Sequence, residues 1–151
     1  MSYKVIFSIS LFFLTGFTLI SNSEEELCAD DIIGVWEIPE HAFHVEIEKR
    51  GDLYFGTLVY CRDSSYPNGI LKLDVKNPDP ELRKRPYRGI EVLQDITYAG
   101  NGKYKNGRIY EPEVGSYYSC QITLVDKTTA KMRGFVGIPL FGKTEYCYKL
   151  D

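Results

Sequence analysis

Residues 43–61, FHVEIEKRGDLYFGTLVYC, decide the fold of this chain. From residue 43 to residue 48, apolar side chains alternate with polar ones, which is typical of a β-strand that is buried on one face. Gly51 and Asp52 follow as a tight turn, and Leu53–Cys61 is rich in β-branched and aromatic residues. Two strands joined by so short a turn run antiparallel, so this stretch predicts a β-hairpin.

Six further strands are expected on either side of this hairpin, because short apolar or alternating runs are separated by turn residues about every ten positions. The predicted ranges are 33–38, 90–98, 103–110, 117–125, 130–138 and 144–150. With about eight strands and no long helical periodicity, the sequence predicts an all-β fold, an up-and-down antiparallel β-barrel. A β-sandwich is the alternative. A closed barrel is favoured because closure removes exposed strand edges.

The segment 71–89, LKLDVKNPDPELRKRPYRG, interrupts the strands with a dense set of turn and capping residues. Asp79 can cap a helical turn whose first residue is Pro80, and Pro86 ends it. We therefore expect one or two helical turns over residues 81–85. This short helical crossover would lie over an end of the barrel or along its side.

The N-terminus has the features of a secretory signal peptide. Lys4 precedes an apolar run over residues 5–20, which is shorter than the roughly 20 residues of a membrane-spanning helix. Ser21, Asn22 and Ser23 then offer a small-residue cleavage site. The expected organisation is a signal peptide at 1–23 and one domain at 24–151, periplasmic or secreted, without a transmembrane segment after cleavage.

The charge balance argues against two classes of partner. The chain carries 18 Lys and Arg against 21 Asp and Glu, a formal net charge of −3. A weak acidic excess without a basic face gives no electrostatic footprint for nucleic acid or for an anionic membrane. The sequence leaves the oligomeric state open.

Four cysteines, Cys28, Cys61, Cys120 and Cys147, remain after the expected cleavage. In an oxidising compartment, disulfides are favoured over a metal site. Cys120 and Cys147 would lie two strands apart in the proposed barrel, roughly 9 to 10 Å from the strand spacing. That separation is too long for a bridge. We therefore expect one disulfide from Cys28, either to Cys61 or to Cys147.

Four sequence blocks in order resemble a known family. They are GVW at 34–36, LDVKNPDPELRKRP at 73–86 with Gly89 after it, GRIYEPEVGSYYS at 107–119, and MRGFVGIPLFGKTEYCY at 132–148. Together they resemble the small secreted bacterial proteins grouped as domain of unknown function 2147. The resemblance implies an exported protein and brings no assigned activity and no catalytic residues.

Two details qualify this resemblance. Cys147 stands where the family pattern leads us to expect a tryptophan, and the cysteines are not a family hallmark. Separately, Gly34 and Trp36 at the start of the first strand resemble the G-x-W motif of lipocalin-like calycins. In those barrels the tryptophan plugs the closed end.

His41 and His44, with Glu40 and Glu46, could be drawn as a metal site. However, residues three apart on a strand point to opposite faces, so a solvated strand end is the favoured interpretation. No metal and no cofactor are predicted.

The series Asp74, Asn77, Asp79 and Glu81 suggests calcium but lacks the order of residues in a calcium-binding loop. Turn formation and helix capping explain it better.

The basic residues near the crossover are Arg83, Lys84, Arg85 and Arg88. They could receive an anionic ligand, although a solvated face is the simpler interpretation. Alternatively, Arg85 and Arg88 could pair with Asp74 and Asp79 and fix the segment in place.

Tyrosine is unusually frequent, with 12 residues, and most of the predicted strands carry at least one. Because tyrosine combines an apolar ring with a hydroxyl, these side chains could line an amphipathic cavity, or they could simply fill the core. The predicted ligand-binding residues are Trp36, Tyr54, Tyr60, Asp74, Arg85, Arg108, Tyr110 and Tyr118.

The leading functional hypothesis is non-enzymatic binding of a small apolar or amphipathic ligand, or of an envelope component, at the barrel mouth near segment 71–89. No residue is predicted to be catalytic. The alternatives are a structural envelope protein, or an enzyme that uses a polar cluster of Asp74, Asp79, Arg85, Arg108 and Tyr110.

Overall fold

In residues 26–151, which the computed structural model describes, eight antiparallel strands close into a barrel in sequence order. The expected signal peptide at 1–23 lies outside the described residues. The strands are β1 (Gly34–Ile38), β2 (Phe43–Arg50), β3 (Leu53–Cys61), β4 (Glu91–Tyr98), β5 (Lys103–Glu111), β6 (Ser116–Leu124), β7 (Thr129–Phe135) and β8 (Lys143–Lys149). This confirms the predicted all-β, up-and-down barrel and excludes the sandwich.

The predicted hairpin 43–61 has the bounds that its sequence pattern indicates. The clearest difference from prediction is at β7, which ends at Phe135 rather than at residue 138. The chain leaves the sheet there because Gly137 adopts a positive φ of 75° and Pro139 begins a 3₁₀ turn, Pro139–Phe141. A proline lacks the N–H that a further ladder bond would need.

The two ends of the barrel are built differently. Loops 39–42, 62–90, 112–115 and 136–142 lie at one end, which we call the open end. The other end, the plugged end, carries the tight turns and the N-terminal residues 26–33. Ile32 is completely buried there, and the Trp36 indole donates a hydrogen bond to the Ile32 carbonyl at 2.7 Å. The Tyr104 hydroxyl donates to the Ala29 carbonyl at 2.9 Å.

Segment 62–90 joins β3 to β4 at the open end and packs against β5, and its helical part is shorter than expected. It is a single 3₁₀ turn, Pro80–Leu82, instead of one or two turns over 81–85. The Asp79 side chain caps this turn by accepting a hydrogen bond from the Glu81 N–H at 3.0 Å, as predicted. The chain leaves the helical turn before residue 85 because it pairs with the start of the segment, where the Asp74 N–H bonds to the Arg85 carbonyl at 3.0 Å and Leu73 pairs with Pro86.

The expected disulfide is not formed, because all four cysteines, which lie within the described residues, are free thiols. Cys28 is exposed at the plugged end, whereas Cys61 ends β3 at the open end. Cys147 is buried in the interior beside Ile32 and Trp36, out of reach of a surface thiol. Burial raises the pKa of the Cys120 and Cys147 thiols to about 12. Neither is therefore a thiolate nucleophile near neutral pH.

Candidate functional site

A cavity of about 420 Å³ opens at the open end of the barrel. Its wall is mostly apolar, formed by inward-facing strand side chains that include Ile38, Phe43, Val45, Val92, Ile109, Tyr118 and Met132. The loops add Pro112, Val136 and Phe141 at the mouth. A concave, mainly apolar space of this size with few polar groups is the usual form of a small-molecule site.

The barrel interior is filled toward the plugged end. There, Ile32, Trp36, Leu93, Ile122 and Cys147 enclose a remaining gap of only about 20 Å³. The cavity persists toward the open end partly because Gly134 on β7 contributes no side chain. A Cβ at that position would meet Ile109 Cγ2 at 3.8 Å and Tyr118 Cβ at 4.0 Å, which are ordinary contacts. The glycine therefore leaves space rather than preventing a clash.

Polar side chains gather on the rim of the cavity. His41 Nε2 lies 3.1 Å from Glu145 Oε1, and Lys143 Nζ lies 3.0 Å from the same carboxylate oxygen. Lys143 also contacts Glu40 at 2.7 Å. The hydrogen bond to Glu145 raises the pKa of His41, and the same bond lowers the pKa of Glu145. The rim thus supplies charge next to an apolar interior.

His41, Glu111 and Glu113 present three possible metal-ligand atoms within 4.8 Å of one another. His44, which the sequence places beside His41, is not among them, because its ring lies 4.5 Å from that of Tyr60. His41 Nε2 is already bonded to Glu145, which also holds the positive charge of Lys143. The positive charge of Lys143 opposes the binding of a cation by His41, Glu111 and Glu113.

Behind the cavity wall, Asp74 forms the centre of a buried polar cluster with Asn77, Arg85 and Tyr110. Tyr110 donates its hydroxyl hydrogen to Asp74 Oδ1 at 2.5 Å. Asn77 Nδ2 and Arg85 Nη2 contact Oδ2 at 2.8 and 2.9 Å. Asp74 has no exposed surface. The side chains of this cluster are hydrogen-bonded to one another. The cluster therefore holds segment 62–90 against β5 and leaves no unpaired group for acid-base chemistry.

The cluster proposed for an enzyme therefore converges only in part. Asp74, Arg85 and Tyr110 meet, but Asp79 is a turn cap. Arg108 lies on the outer surface, where it contacts Asp95 at 3.1 Å.

The predicted ligand-binding residues divide into four groups. Tyr110 and Tyr118 line the cavity, and Asp74 and Arg85 support Tyr110 from behind. Trp36 and Tyr54 lie at the plugged end, where the Tyr54 hydroxyl donates to Asp30 at 2.8 Å. Tyr60 and Arg108 are exposed on the outside. Whether any of them binds a ligand stays a prediction.

Sequence reasoning missed the functional potential of the rim and of the loop after β7. Glu111 ends β5, whereas Lys143 and Glu145 begin β8, so no local pattern joins them to His41 in the loop after β1. The loop did carry a signal, because residues 134–142, GFVGIPLFG, contain no polar side chain. Its position over a cavity is visible only in the folded chain.

Comparison with known proteins gives one family and one fold. A family model described as "Uncharacterized protein conserved in bacteria (DUF2147)" matches residues 34–149. Among solved structures, the chain is similar to protein HP1028 from Helicobacter pylori, whose title assigns that protein to the lipocalin family. The TM-score is 0.69 at 22% identity, covering 79% of this chain and 82% of the other. No curated protein matches the chain.

In the part of the chain that the structure describes, no helix has the length and apolar character needed to span a membrane.

Proposed function

The chain belongs to the family of uncharacterized proteins conserved in bacteria whose model it matches, and we propose that it binds a small apolar or amphipathic ligand at the open end of its barrel. The observation that carries this proposal is the apolar cavity of about 420 Å³. The lipocalin-like fold supports it, since an eight-stranded barrel is wide enough to hold one small ligand.

The rim indicates how such a ligand would be oriented. An apolar tail would contact Val45, Val92 and Met132 in the interior. A polar head group would lie near the mouth, where His41, Lys143 and Glu145 provide hydrogen bonds. A ligand with both parts fits the cavity better than one that is polar throughout, because burying an unpaired polar group costs free energy.

We also propose that the protein is exported and acts in the periplasm or outside the cell. The apolar run at 5–20 and the small residues at 21–23 support this. Intact-mass measurement of protein recovered from the periplasmic or culture fraction tests it. A mass corresponding to a chain that begins near residue 24 is expected. An intact N-terminus in the cytoplasmic fraction would refute export.

Ligand binding is tested by titrating the purified protein with N-phenyl-1-naphthylamine, whose fluorescence rises in apolar surroundings. Gly134→Leu places a side chain into the cavity without backbone strain and should weaken probe binding about tenfold or more. Ser119→Leu, which adds the same side chain at an exposed position of β6, is the matched control and should leave binding unchanged.

Circular dichroism and thermal melting establish that both variants are folded. Equal probe affinity in the wild-type protein and in a folded Gly134→Leu variant would overturn the proposed site. Native mass spectrometry of protein purified without denaturant would identify a ligand that copurifies.

A further inference from the structure

The loop between β7 and β8 holds large apolar side chains in water. We call residues 136–141 the apolar loop. The exposed fractions are 73% for Val136, 53% for Ile138, 75% for Leu140 and 79% for Phe141. Side chains of this size are usually buried, and an exposed group of them on one loop marks an interaction surface.

The carbonyls at the tip of the apolar loop are paired from within the protein. Arg133 donates hydrogen bonds to the carbonyls of Pro139 and Leu140, at 2.6 and 3.2 Å. The Phe141 N–H bonds to the Ile138 carbonyl and the Gly142 N–H to the Pro139 carbonyl. Pro139 has no N–H of its own.

The pairing of the Pro139 and Leu140 carbonyls bears on the kind of surface that the tip of the loop can enter. A loop in water needs no arginine beneath it, because water satisfies its carbonyls. In hydrocarbon, each unpaired backbone group costs several kcal/mol, so an inserting loop must carry its own partners. The Arg133 guanidinium, on β7 beneath the loop, provides partners for the two carbonyls at its tip.

The apolar loop is also continuous with the cavity. Val136 and Phe141 are exposed to solvent and line the cavity mouth as well. An apolar molecule that leaves a bilayer along these side chains would reach the interior without crossing bulk water.

We propose that the apolar loop inserts into the interfacial region of a lipid bilayer and brings the cavity mouth against the membrane. The charges near the loop favour insertion of its apolar side chains over attraction to anionic lipid. Lys143 beside the loop is paired with Glu40 and Glu145, and the chain as a whole is acidic. Binding should therefore occur on neutral lipid, persist in high salt and gain nothing from anionic lipid.

Flotation of the purified protein with phosphatidylcholine vesicles tests this proposal. The wild-type protein should float with the vesicles, and the double variant Ile138→Ser/Leu140→Ser should bind about tenfold more weakly. The matched control is Val125→Ser/Leu150→Ser, which removes exposed apolar side chains at the plugged end and should bind like the wild type. All three share the same N-terminus, so differences between them report the loop.

A second variant keeps the proposal testable if the double variant is unstable. Leu140→Trp adds a reporter to a chain whose single tryptophan, Trp36, is buried. Its emission should shift to the blue on addition of neutral vesicles. Wild-type protein that stays off the vesicles, or an unshifted emission, would overturn the proposal. If sedimentation then shows a dimer that Ile138→Ser/Leu140→Ser abolishes, a second copy of the chain covers the loop instead.

These experiments distinguish a failure of the membrane-docking proposal from a failure of the ligand-binding proposal. Ile138 and Leu140 do not line the cavity, so their substitution should leave N-phenyl-1-naphthylamine affinity unchanged while vesicle binding falls. Conversely, Gly134→Leu should weaken probe binding about tenfold or more and leave vesicle binding intact.

Discussion

Asp74 shows at the scale of one residue how segment 62–90 is attached to the barrel. A fully buried carboxylate is stable only when its oxygens are paired, and here Tyr110, Asn77 and Arg85 pair them. Burial raises the pKa of Tyr110, and the bond to Asp74 adds to that effect, so the hydroxyl remains a donor at neutral pH. The Tyr110 ring packs beside that of Tyr117, its partner across the β5–β6 pair, with centroids 4.7 Å apart.

Removing this hydroxyl should destabilise the fold. Tyr110→Phe leaves Asp74 Oδ1 without its closest donor and should cost about 2 kcal/mol, as for a hydrogen bond to a charged group. Urea unfolding monitored by circular dichroism measures the change. Tyr117→Phe is the control, since Tyr117 lies on the next strand with its ring 4.7 Å from that of Tyr110 and is 40% exposed. Equal stability of the two variants would contradict this role for the hydroxyl.

His41 and Glu145 should make stability depend on pH. The folded-state pKa of His41 is raised, so its contribution is complete below the unfolded-state pKa and disappears as pH rises through the folded-state value. The pKa of Glu145 is lowered, so its contribution is lost only as pH falls through that lowered value.

Replacing His41 should therefore matter most in mildly acidic solution. His41→Gln should cost about 1 kcal/mol near about pH 5.5 and less near about pH 8.5. Thermal melts at the two pH values measure the difference. His44→Gln, which replaces a ring that lies 4.5 Å from that of Tyr60, is the comparison variant. A larger loss for His41→Gln at the higher pH would contradict the assignment.

At the scale of elements, the features that depend on neighbouring residues in the chain can be predicted from the sequence. The hairpin 43–61 is predictable to the residue because alternation and a tight turn lie within one short stretch. Asp79 is predictable as a cap for the same reason. β7 is predicted too long because Val136 and Ile138 continue the apolar pattern beyond Phe135, where Gly137 and Pro139 turn the chain away.

The attachment of segment 62–90 to the β5–β6 loop depends on a glycine. A Cβ on Gly115 would lie 2.0 Å from the Lys76 carbonyl oxygen, and its φ is +76°. Gly69 has a similar φ of +80° but nothing within 4 Å. Gly69→Ala should therefore lower the free energy of unfolding only by the cost of holding alanine in the left-handed backbone conformation, about 1 to 2 kcal/mol.

Gly115→Ala should cost at least about 1 kcal/mol more than Gly69→Ala, because the segment must move away from the loop. Urea unfolding compares the two variants. Limited proteolysis should also cleave segment 62–90 faster in Gly115→Ala than in Gly69→Ala. Equal stabilities and equal cleavage rates would show that the segment accommodates the methyl group freely.

At the scale of the whole molecule, the open cavity could not be predicted from sequence. Its existence depends on Gly134, Ile109 and Tyr118, which lie on three strands, meeting at one height in the barrel. The cysteines illustrate the same limit, since Cys28 and Cys61 fall at opposite ends only after the strands have closed. Tyrosines on the strands are candidates for a cavity lining from the sequence. In the structure, Tyr54 and Tyr104 instead pack against each other at the plugged end and hydrogen-bond to Asp30 and Ala29.

Among the strand pairs of residues 26–151, the seam that closes the barrel has the fewest register pairs, Trp36 with Lys149 and Glu37 with Tyr148, and the Leu150 N–H also bonds to the Val35 carbonyl. By contrast, β2 and β3 pair along their full lengths. Lys149 reinforces the seam, since its Nζ donates to the Asp31 carbonyl at 2.9 Å and lies 5.7 Å from the Trp36 ring centroid. The seam and the plug are therefore one cooperative unit, and it should open before the hairpin does.

Lys149→Met should loosen this unit selectively. Losing one charge-assisted hydrogen bond of about 1 kcal/mol should raise amide exchange in β1 and β8 roughly fivefold, with little change in β2 and β3. Hydrogen exchange followed by mass spectrometry resolves these segments. Lys131→Met is the matched control, because Lys131 also lies over an aromatic ring, 5.5 Å from the Tyr146 centroid, but across the β7–β8 pair rather than across the β1–β8 seam, so exchange in β1 should not change. Faster exchange that spreads evenly over all strands would mean that the barrel opens as a whole rather than at its seam.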